Sequence, residues 1–236
     1  MQMNPILPNN SLRLNKYLAL QLGISRREAD NIIANQKATI NGRTATLGAR
    51  FNEGDKIIVN GKEIKSAAKY EYIALNKPSG YVCSRKKQDD NPTIYELLPE
   101  SLYHLKPVGR LDIDTSGLII LSNDGDFAYQ MTHPSFYKTK IYNARLDRAL
   151  EPLHQQMIND YGVKLEDGPS KLQLERMNDE NDRKNWIITM HEGRNRQIRR
   201  TFGALGYTVI KLHRTNFGNY SLGDIKPGKY ESINIQ

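Results

Sequence analysis

Apolar residues recur at every fourth position near the start of the chain, at Leu14, Leu18 and Leu22. This spacing places them on one face of a helix, and Gly23 is typical of the residue that ends one. Ser25-Arg26-Arg27-Glu28 then has the form of a capping box, in which a serine and a glutamate side chain satisfy the free N–H groups of a helix start. The pattern therefore predicts two consecutive helices, the second beginning at Ser25.

Short apolar segments separated by turn signals come next. Asn41-Gly42 and Asn60-Gly61 are dipeptides typical of tight hairpin turns. The segments around them favour strands at residues 38–40, 45–47 and 56–59. Residues 11–66 are thus expected to form one small domain, preceded at residues 1–10 by a disordered tail with two prolines and three asparagines.

After a hydrophilic linker predicted at residues 67–71, strand and helix patterns alternate unevenly. Helical patterns occur at residues 93–98, 126–132, 152–159 and 196–205. Strands often follow one another without a helix between them, which favours an α+β domain with a mixed, mainly antiparallel sheet at residues 72–236. The strand-like segments are residues 72–75, 118–121, 137–146, 172–177, 186–190 and 207–212.

The chain is basic, with 34 Lys and Arg against 26 Asp and Glu in 236 residues and a formal charge of +8 at pH 7. This balance favours an anionic partner, with nucleic acid first and a membrane surface second. Residues 1–66 hold ten of the basic and five of the acidic residues, so the small domain is the more basic per residue. Arg26, Arg27 and Lys37 lie at or near its second helix, where they either bind phosphate or form an ordinary solvated face.

Several classes of protein are disfavoured by what the sequence lacks. No apolar run is long enough for a transmembrane helix, no secretory signal is present, and Cys83 is the only cysteine, so we expect a reduced, cytoplasmic protein. The five histidines are scattered, which disfavours zinc. No glycine-rich nucleotide-binding motif occurs. We therefore expect neither a metal nor a cofactor.

Two stretches carry candidate chemistry. Residues 108–126 contain Asp112, Asp114, Asp124 and Asp126. In Arg110-Leu111-Asp112, the aspartate either stabilises a turn or is a carboxylate that an arginine keeps ionised so that it can react. Residues 191–200 contain four arginines within seven positions. On a helix beginning near Arg196, three of these would share one face and require anions, either RNA phosphate or a buried Asp. The four are Arg194, Arg196, Arg199 and Arg200.

Taken together, these stretches resemble the RsuA/RluB/RluE/RluF family of ribosomal-RNA pseudouridine synthases. Residues 11–66 resemble the αL-type RNA-binding domain that this family shares with a small-subunit ribosomal protein. Asn76-Lys77-Pro78-Ser79-Gly80 resembles the element that opens the catalytic domain, and the run 109–118, GRLDIDTSGL, matches the signature of the catalytic loop. Lys140-Ile141-Tyr142 and the run 192–200, EGRNRQIRR, match two further motifs in the same order.

The resemblance implies isomerisation of uridine to pseudouridine in rRNA, without metal or cofactor. Asp112 would be the catalytic aspartate, Tyr142 would contact or stack on the target base, and Arg199 would pair with Asp112 in the closed site. Arg110 would shape the loop and contact phosphate. The remaining residues expected to bind RNA are Arg194, Arg196, Arg200, Lys140, Lys77, Arg26, Arg27 and Lys37.

Three alternatives stay open at this stage. The motifs at residues 131–135, 162–169 and 185–186 favour large-subunit rRNA, whereas those at 80–84 and 109–115 look as much like the small-subunit enzyme. A catalytically silent assembly factor would keep the basic surfaces without an intact Asp112. A Mg²⁺-dependent nuclease would use the aspartate cluster. The expected partner is rRNA or an assembling ribosomal subunit, with the protein acting as a monomer away from membranes.

Overall fold

Contacts along the chain separate it into two units in this computed structural model, which describes residues 11–65, 69–85, 88–177 and 183–235. The first unit comprises Met1–Tyr70 with Asn123–Gly125, and the second comprises Glu71–Ser122 with Asp126–Gln236. The tail predicted at residues 1–10 and positions 67 and 68 of the predicted linker lie outside the described residues.

The first unit begins with the two predicted helices. In the first, Gly23 adopts the left-handed conformation at φ 65° and ends the helix. The second has a complete capping box, since Glu28 N donates to Ser25 Oγ at 3.1 Å and Ser25 N donates to Glu28 Oε2 at 2.6 Å. Both predictions are confirmed by these bounds: β1 (Leu12–Arg13), α1 (Leu14–Leu22) and α2 (Arg26–Ala34).

An antiparallel sheet completes this unit. The strand predicted at residues 45–47 is wrong, because the two-residue turn at Asn41-Gly42 pairs Ile40 directly with Arg43 and starts the return strand there. The strands are β2 (Ala38–Ile40), β3 (Arg43–Thr44), β4 (Arg50–Phe51), β5 (Ile57–Val59) and β6 (Lys62–Glu63). The sheet order is β3-β2-β5-β6, and β1 pairs with β4. The core between helices and sheet consists of Leu14, Leu18, Ala29, Ile33, Ala38, Ala45, Phe51, Ile57 and Val59.

The second unit is built on one large sheet. The strands of this unit are β7 (Tyr72–Lys77), β8 (Lys106–Val108), β9 (Ser116–Ser122), β10 (Lys140–Leu146), β11 (Val163–Leu165), β12 (Gly168–Ser170), β13 (Gln173–Arg176), β14 (Asn185–Met190), β15 (Val209–Phe217), β16 (Tyr220–Ser221) and β17 (Tyr230–Ser232).

The order of strands in the large sheet is β13-β14-β10-β15-β9-β7-β17, with β16 beside β15 and β8 beside β9, whereas β11 and β12 form a separate hairpin. The described pairs of the large sheet are antiparallel except for β15 with β9, so the predicted α+β class and mainly antiparallel sheet are confirmed.

Strand β9 is apolar at almost every position because both of its faces are covered. Leu118 and Ile120 belong to one core cluster, together with Phe127 and Met131 of the following helix. Ile119 and Leu121 face the larger cluster, which also contains Ile198 and Phe202 of the last α-helix. The α-helices of this unit are α3 (Gly125–Thr132), α4 (Pro152–Gln156) and α5 (Gln197–Ala204).

Three predicted helices differ in detail from the structure. Residues 93–98 form only a 3-10 turn at Ile94–Leu97, and α4 passes into a π-helical turn at Met157–Tyr161. Helix α5 starts one residue later than predicted, because Arg196 has left-handed backbone geometry at φ 45°. Of the helices in the described part of the chain, none has both the length and the apolar character needed to cross a membrane.

Candidate active site

Asp112 lies on the loop between β8 and β9, and backbone contacts fix the shape of this loop. Gly80 N donates to Ile113 O at 2.7 Å, and Thr115 N donates to Asp112 O at 3.0 Å. Leu111, only 6% exposed, anchors the loop in the large core. The Asp112 side chain keeps 34% of its surface exposed. A buried neighbour and a closed turn thus present one carboxylate to solvent in a defined position.

Lys77 supports the loop from below. It is completely buried, and its Nζ donates to the carbonyl oxygens of Thr115 at 2.7 Å, Pro78 at 3.0 Å and Ile113 at 3.4 Å. Burial lowers the pKa of Lys77 to about 8, although nearby charges, including those of Asp114 and Asp112, act in the opposite direction. A fully buried ammonium held by loop carbonyls has no access to a phosphate, so this geometry does not support the prediction that Lys77 binds RNA.

Gly117 lets the strand after the loop approach β15 closely. Its φ is +107°, and a Cβ at this position would lie 2.2 Å from the carbonyl oxygen of Arg214. The parallel pairing of β9 with β15 sets Gly117 opposite Arg214. Only glycine satisfies both the backbone angle and the close contact, which gives a physical reason for the glycine that follows Ser116.

A pocket of about 470 Å³ opens in front of Asp112. It brings together the loop after β8, the end of α3, the start of β10 and the arginine-rich segment before α5. The predicted site residues that line it are Arg110, Asp112, Lys140, Tyr142, Arg194, Arg196 and Arg199. Lys77 and Arg200 do not line it, and Arg26, Arg27 and Lys37 are exposed side chains of the first unit.

Asp114 is the main anion for two of the arginines. Arg196 forms a bidentate pair with it, Nη1 to Oδ1 at 3.1 Å and Nη2 to Oδ2 at 2.9 Å, and lies farther from Asp112, with Nη1 3.9 Å from Oδ2. Arg199 Nε lies 3.2 Å from Asp114 Oδ2 without hydrogen-bond geometry, and its Nη2 donates to Asp114 O at 3.0 Å. The expected partner of Arg199 was Asp112; in this structure it is Asp114.

These contacts set the charge of Asp114. Burial alone would raise the pKa of this carboxyl, but the hydrogen bond from Arg196 and the charges of Arg199 and Arg196 outweigh it and lower the pKa below 3.8. Asp114 is therefore ionised at neutral pH and holds both guanidiniums beside the pocket.

The other two arginines of the segment clamp a neighbouring turn. Arg194 Nη1 donates to Asp167 Oδ1 at 2.8 Å and its Nη2 donates to Pro169 O at 2.8 Å, while Arg200 Nη2 donates to Asp167 Oδ2 at 2.7 Å. Their hydrogen bonds fasten the turn between β11 and β12 to the arginine-rich segment. The expectation that Arg194 and Arg200 bind RNA is not supported by this geometry, since Asp167 and loop carbonyls already engage both guanidiniums. The expected single helical face of three arginines is also absent, because Arg196 precedes α5.

Tyr142 and two cations form the floor of the pocket. Tyr142 is 8% exposed on β10. Arg214, 2% exposed, donates from Nε to Leu118 O at 2.8 Å, and its guanidinium lies 4.7 Å from the centre of the Phe217 ring. Lys140 Nζ lies 5.5 Å from the same ring. Burial, and after it the charge of Arg214, lowers the pKa of Lys140.

Sequence reasoning missed several residues of this site. Arg214 lies beyond the strand predicted at residues 207–212 and belongs to none of the motifs, so it was not selected. Asp114 and Asp167 were not selected as partners of the arginines, although the four clustered arginines indicated that anions, either RNA phosphate or an Asp, were needed nearby. Within the described residues, no group of three or more His, Cys, Asp or Glu side chains is arranged to hold a metal ion.

Comparisons with known proteins show the family to which this chain is related. A family model described as RNA pseudouridylate synthase matches residues 71–204, and one described as S4 domain matches residues 12–57. The chain is 35% identical over 232 residues to the ribosomal small subunit pseudouridine synthase A of Pasteurella multocida (strain Pm70), covering 95% of this chain and 97% of that protein. It is 34% identical over 220 residues to the ribosomal large subunit pseudouridine synthase B of Bacillus subtilis (strain 168), covering 92% and 89%.

Similarity in structure extends over the same length. The crystal structure of a pseudouridylate synthase covers 95% of this chain and 96% of its own, with 32% sequence identity and a TM-score of 0.66. The predicted family, the N-terminal RNA-binding type of domain and the catalytic class are confirmed by these matches. The chain belongs to the RNA pseudouridine synthase family, with an S4 domain ahead of its synthase domain.

Proposed function

We propose that this protein isomerises one uridine of ribosomal RNA to pseudouridine, with Asp112 as the catalytic residue. The observation that carries the proposal is the position of Asp112, a part-exposed carboxylate on a braced loop at a pocket floored by Tyr142. Relatives named for small- and large-subunit pseudouridine synthases, each matched over most of the chain, support ribosomal RNA as the substrate.

The reaction needs no redox step. The N1–C1′ bond of uridine breaks, the uracil turns, C5 bonds to C1′, the C5 proton leaves to solvent and N1 takes up a proton. Asp112 either attacks C1′ or removes a proton from C2′, and both routes require an ionised carboxylate. Arg196 approaches that carboxylate, with Nη1 3.9 Å from Asp112 Oδ2.

The target base has to leave its stack to reach Asp112, since a base inside a helix is inaccessible to a pocket residue. Tyr142 contacts the flipped uracil in this proposal and offsets part of the unstacking free energy, about 1–3 kcal/mol per stacked base. Arg110, exposed at the rim, and Lys140, on the floor, contact phosphate. Arg199 acts indirectly, holding Asp114 and hence the loop of Asp112.

The first unit increases affinity for RNA in this proposal. Arg26 and Arg27 lie in the first turn of α2, whose N-terminus also favours phosphate, and Lys37 is exposed just before β2. The division into an RNA-binding domain at residues 11–66 and a catalytic domain at 72–236 is part of the same proposal. The protein acts as a monomer on rRNA or on an assembling subunit.

Large-subunit rRNA is our first choice of substrate, because residues 131–135, 162–169 and 185–186 resemble the large-subunit branch. Small-subunit rRNA is the second candidate, and the 35% identity to a small subunit pseudouridine synthase A supports it. The two candidates differ only in the RNA that is modified.

The test uses large- and small-subunit rRNA transcribed in vitro, incubated with the protein in EDTA and then treated with carbodiimide and mapped by primer extension. A protein-dependent stop at one uridine supports the synthase and selects the subunit. Intact RNA without a stop, on both transcripts and on immature subunits, favours the catalytically silent assembly factor. RNA that is cleaved with Mg²⁺ but not in EDTA favours the nuclease.

A further inference from the structure

Three aromatic side chains form an exposed ledge beside the pocket: Tyr129, His133 and Phe136, which we call the aromatic ledge. Tyr129 is 54% exposed and Phe136 is 43% exposed. The described residues include twelve large hydrophobic side chains that are exposed, and three of them, Tyr129, Phe136 and Tyr137, lie within nine consecutive positions. Single exposed apolar residues are ordinary, whereas a cluster indicates a binding surface.

Helix α3 has an unusual outer face. Its inner face is formed by Phe127 and Met131, four residues apart and both buried in the core beneath β9. Tyr129 lies on the other side of the helix, and His133 follows it by one turn, just beyond the helix end. A helix face that only meets water is typically charged or polar, so packing of the fold does not account for aromatic rings here.

The rings of the ledge are held in place before any ligand binds. The ring centres of Tyr129 and His133 are 4.7 Å apart, and those of Tyr129 and Phe136 are 5.7 Å apart in an edge-to-face arrangement. Ser135 N donates to His133 Nδ1 at 3.3 Å, and Phe136 N donates to His133 O at 3.1 Å. Because the rings are already ordered, little conformational entropy is lost when a flat ligand stacks on them.

The ledge is continuous with the pocket of Asp112. His133 lines that pocket, together with the basic residues Arg110, Lys138 and Lys140. Aromatic rings next to cations that can meet phosphate are the combination that binds unpaired nucleic acid, since every base offers a flat π face. A stable protein partner would need about 800 Å² of contact surface on each side, far more than three rings provide.

We propose that the aromatic ledge is a stacking platform for an unpaired base that adjoins the target uridine. The inference rests on the proposed function and adds to it a second base-binding position outside the catalytic pocket. It implies that the target lies in a loop or beside a bulge, because a base inside a continuous helix has no free face for the ledge.

The test is a cycle that combines protein and RNA changes. The RNA is a short fragment containing the modified uridine. It is used intact, or with a single abasic unit placed in turn at each of the two nucleotides before and the two nucleotides after that uridine. The proteins are wild type, Tyr129→Ala, Phe136→Ala and the control Tyr161→Ala, which removes a ring that is 76% exposed, lies outside the ledge and does not line the pocket. Affinity and the single-turnover rate are measured for each pair.

We expect Tyr129→Ala and Phe136→Ala each to weaken binding of intact RNA by about 5- to 150-fold, the range that corresponds to about 1–3 kcal/mol per stacked base. An abasic unit at one of the tested positions is expected to weaken binding of the RNA to wild type by a similar factor. The same abasic unit is expected to cause little further loss of affinity in the ledge variants. Tyr129→Phe keeps the ring and is expected to restore binding. Tyr161→Ala is expected to match wild type.

Ledge variants that melt and bind RNA like wild type would overturn the inference. It would also be overturned if the loss of affinity caused by a ledge variant and the loss caused by an abasic unit multiplied at every position tested, because the ledge and that base would then act independently. Failure of the proposed function has a different signature, because wild type would then form no pseudouridine in the intact RNA. Full wild-type activity with unchanged ledge variants counts against the ledge alone.

Discussion

Arg196 holds Asp114 in a bidentate pair, with Nη2 2.9 Å from Oδ2, and leaves Asp112 with only a 3.9 Å contact. The carboxylate proposed to react is thus the less engaged of two neighbouring aspartates. Asp114 keeps Arg196 and Arg199 in place, while Asp112 retains free lone pairs for the substrate. An aspartate two residues from the reacting one therefore has a positioning role that its sequence context alone did not indicate.

Asp114 should make stability sensitive to acid. Its folded-state pKa lies below 3.8, so its contribution is complete above that value and is lost as pH falls through the folded pKa. We expect the free energy of unfolding of wild type to fall more steeply below pH 4 than that of Asp114→Asn. Urea denaturation from pH 6 to pH 3 measures this difference, and parallel curves for the two proteins would contradict it.

Lys77 should make stability depend on pH in the alkaline range, with the same sign as Asp114, so that stability rises as pH rises. Its pKa is about 8 in the fold against 10.5 when unperturbed, so between these values the unfolded chain binds the proton and the folded chain has released it. Stability of wild type relative to Lys77→Met should then rise with pH, by up to about 1.4 kcal/mol per pH unit between pH 8 and 10.5. Denaturation of both proteins from pH 7 to 10 tests this, and a constant difference would argue against a buried ammonium.

Gly117 should tolerate no side chain. Gly117→Ala would strain a residue at φ +107° and drive a Cβ to 2.2 Å from Arg214 O, so we expect destabilisation of about 3 kcal/mol or more. The matched control is Gly203→Ala within α5, where a Cβ meets no atom within 4 Å and should stabilise by about 0.4–1 kcal/mol. Thermal melting of the two variants checks both effects, and equal melting temperatures would refute the close approach of β9 to β15.

Arg110 and Arg200 should differ in their effect on RNA binding. Arg110 is exposed at the pocket rim, so Arg110→Gln should reduce the slope of log K against log salt by about one phosphate contact. Arg200 donates to Asp167 at 2.7 Å, so Arg200→Gln should leave that slope unchanged. Filter binding from 50 to 300 mM salt distinguishes them, and an equal drop for both would mean that Arg200 leaves Asp167 for RNA.

Local signals in the sequence were enough to predict many elements. Gly23 and the capping box at Ser25 determine where α1 ends and α2 begins, because both act through contacts within a few residues. The loop carrying Asp112 was identified differently, through the resemblance of the contiguous run 109–118 to a family signature. Several of the failures depended on distant contacts.

Lysine is usually a surface residue, and the carbonyl oxygens of Pro78, Ile113 and Thr115 make the burial of Lys77 tolerable. Arg196 was placed on a helix because nothing in its neighbours signals a left-handed backbone. The partners of the arginines, Asp114 and Asp167, come from loops far along the chain and are fixed by tertiary packing. The aromatic ledge was not predicted either, since the helix at residues 126–132 was expected, but the packing of Phe127 and Met131 decides which of its rings remain exposed.

Release of the C5 proton shows whether Asp112 performs the isomerisation. Ribosomal RNA labelled with tritium at C5 of uridine is incubated with wild type and with Asp112→Asn, after equal melting temperature and equal RNA affinity have been verified. We expect wild type to release one tritium per target uridine and Asp112→Asn to release none above background. Release by Asp112→Asn at a rate near that of wild type would contradict it.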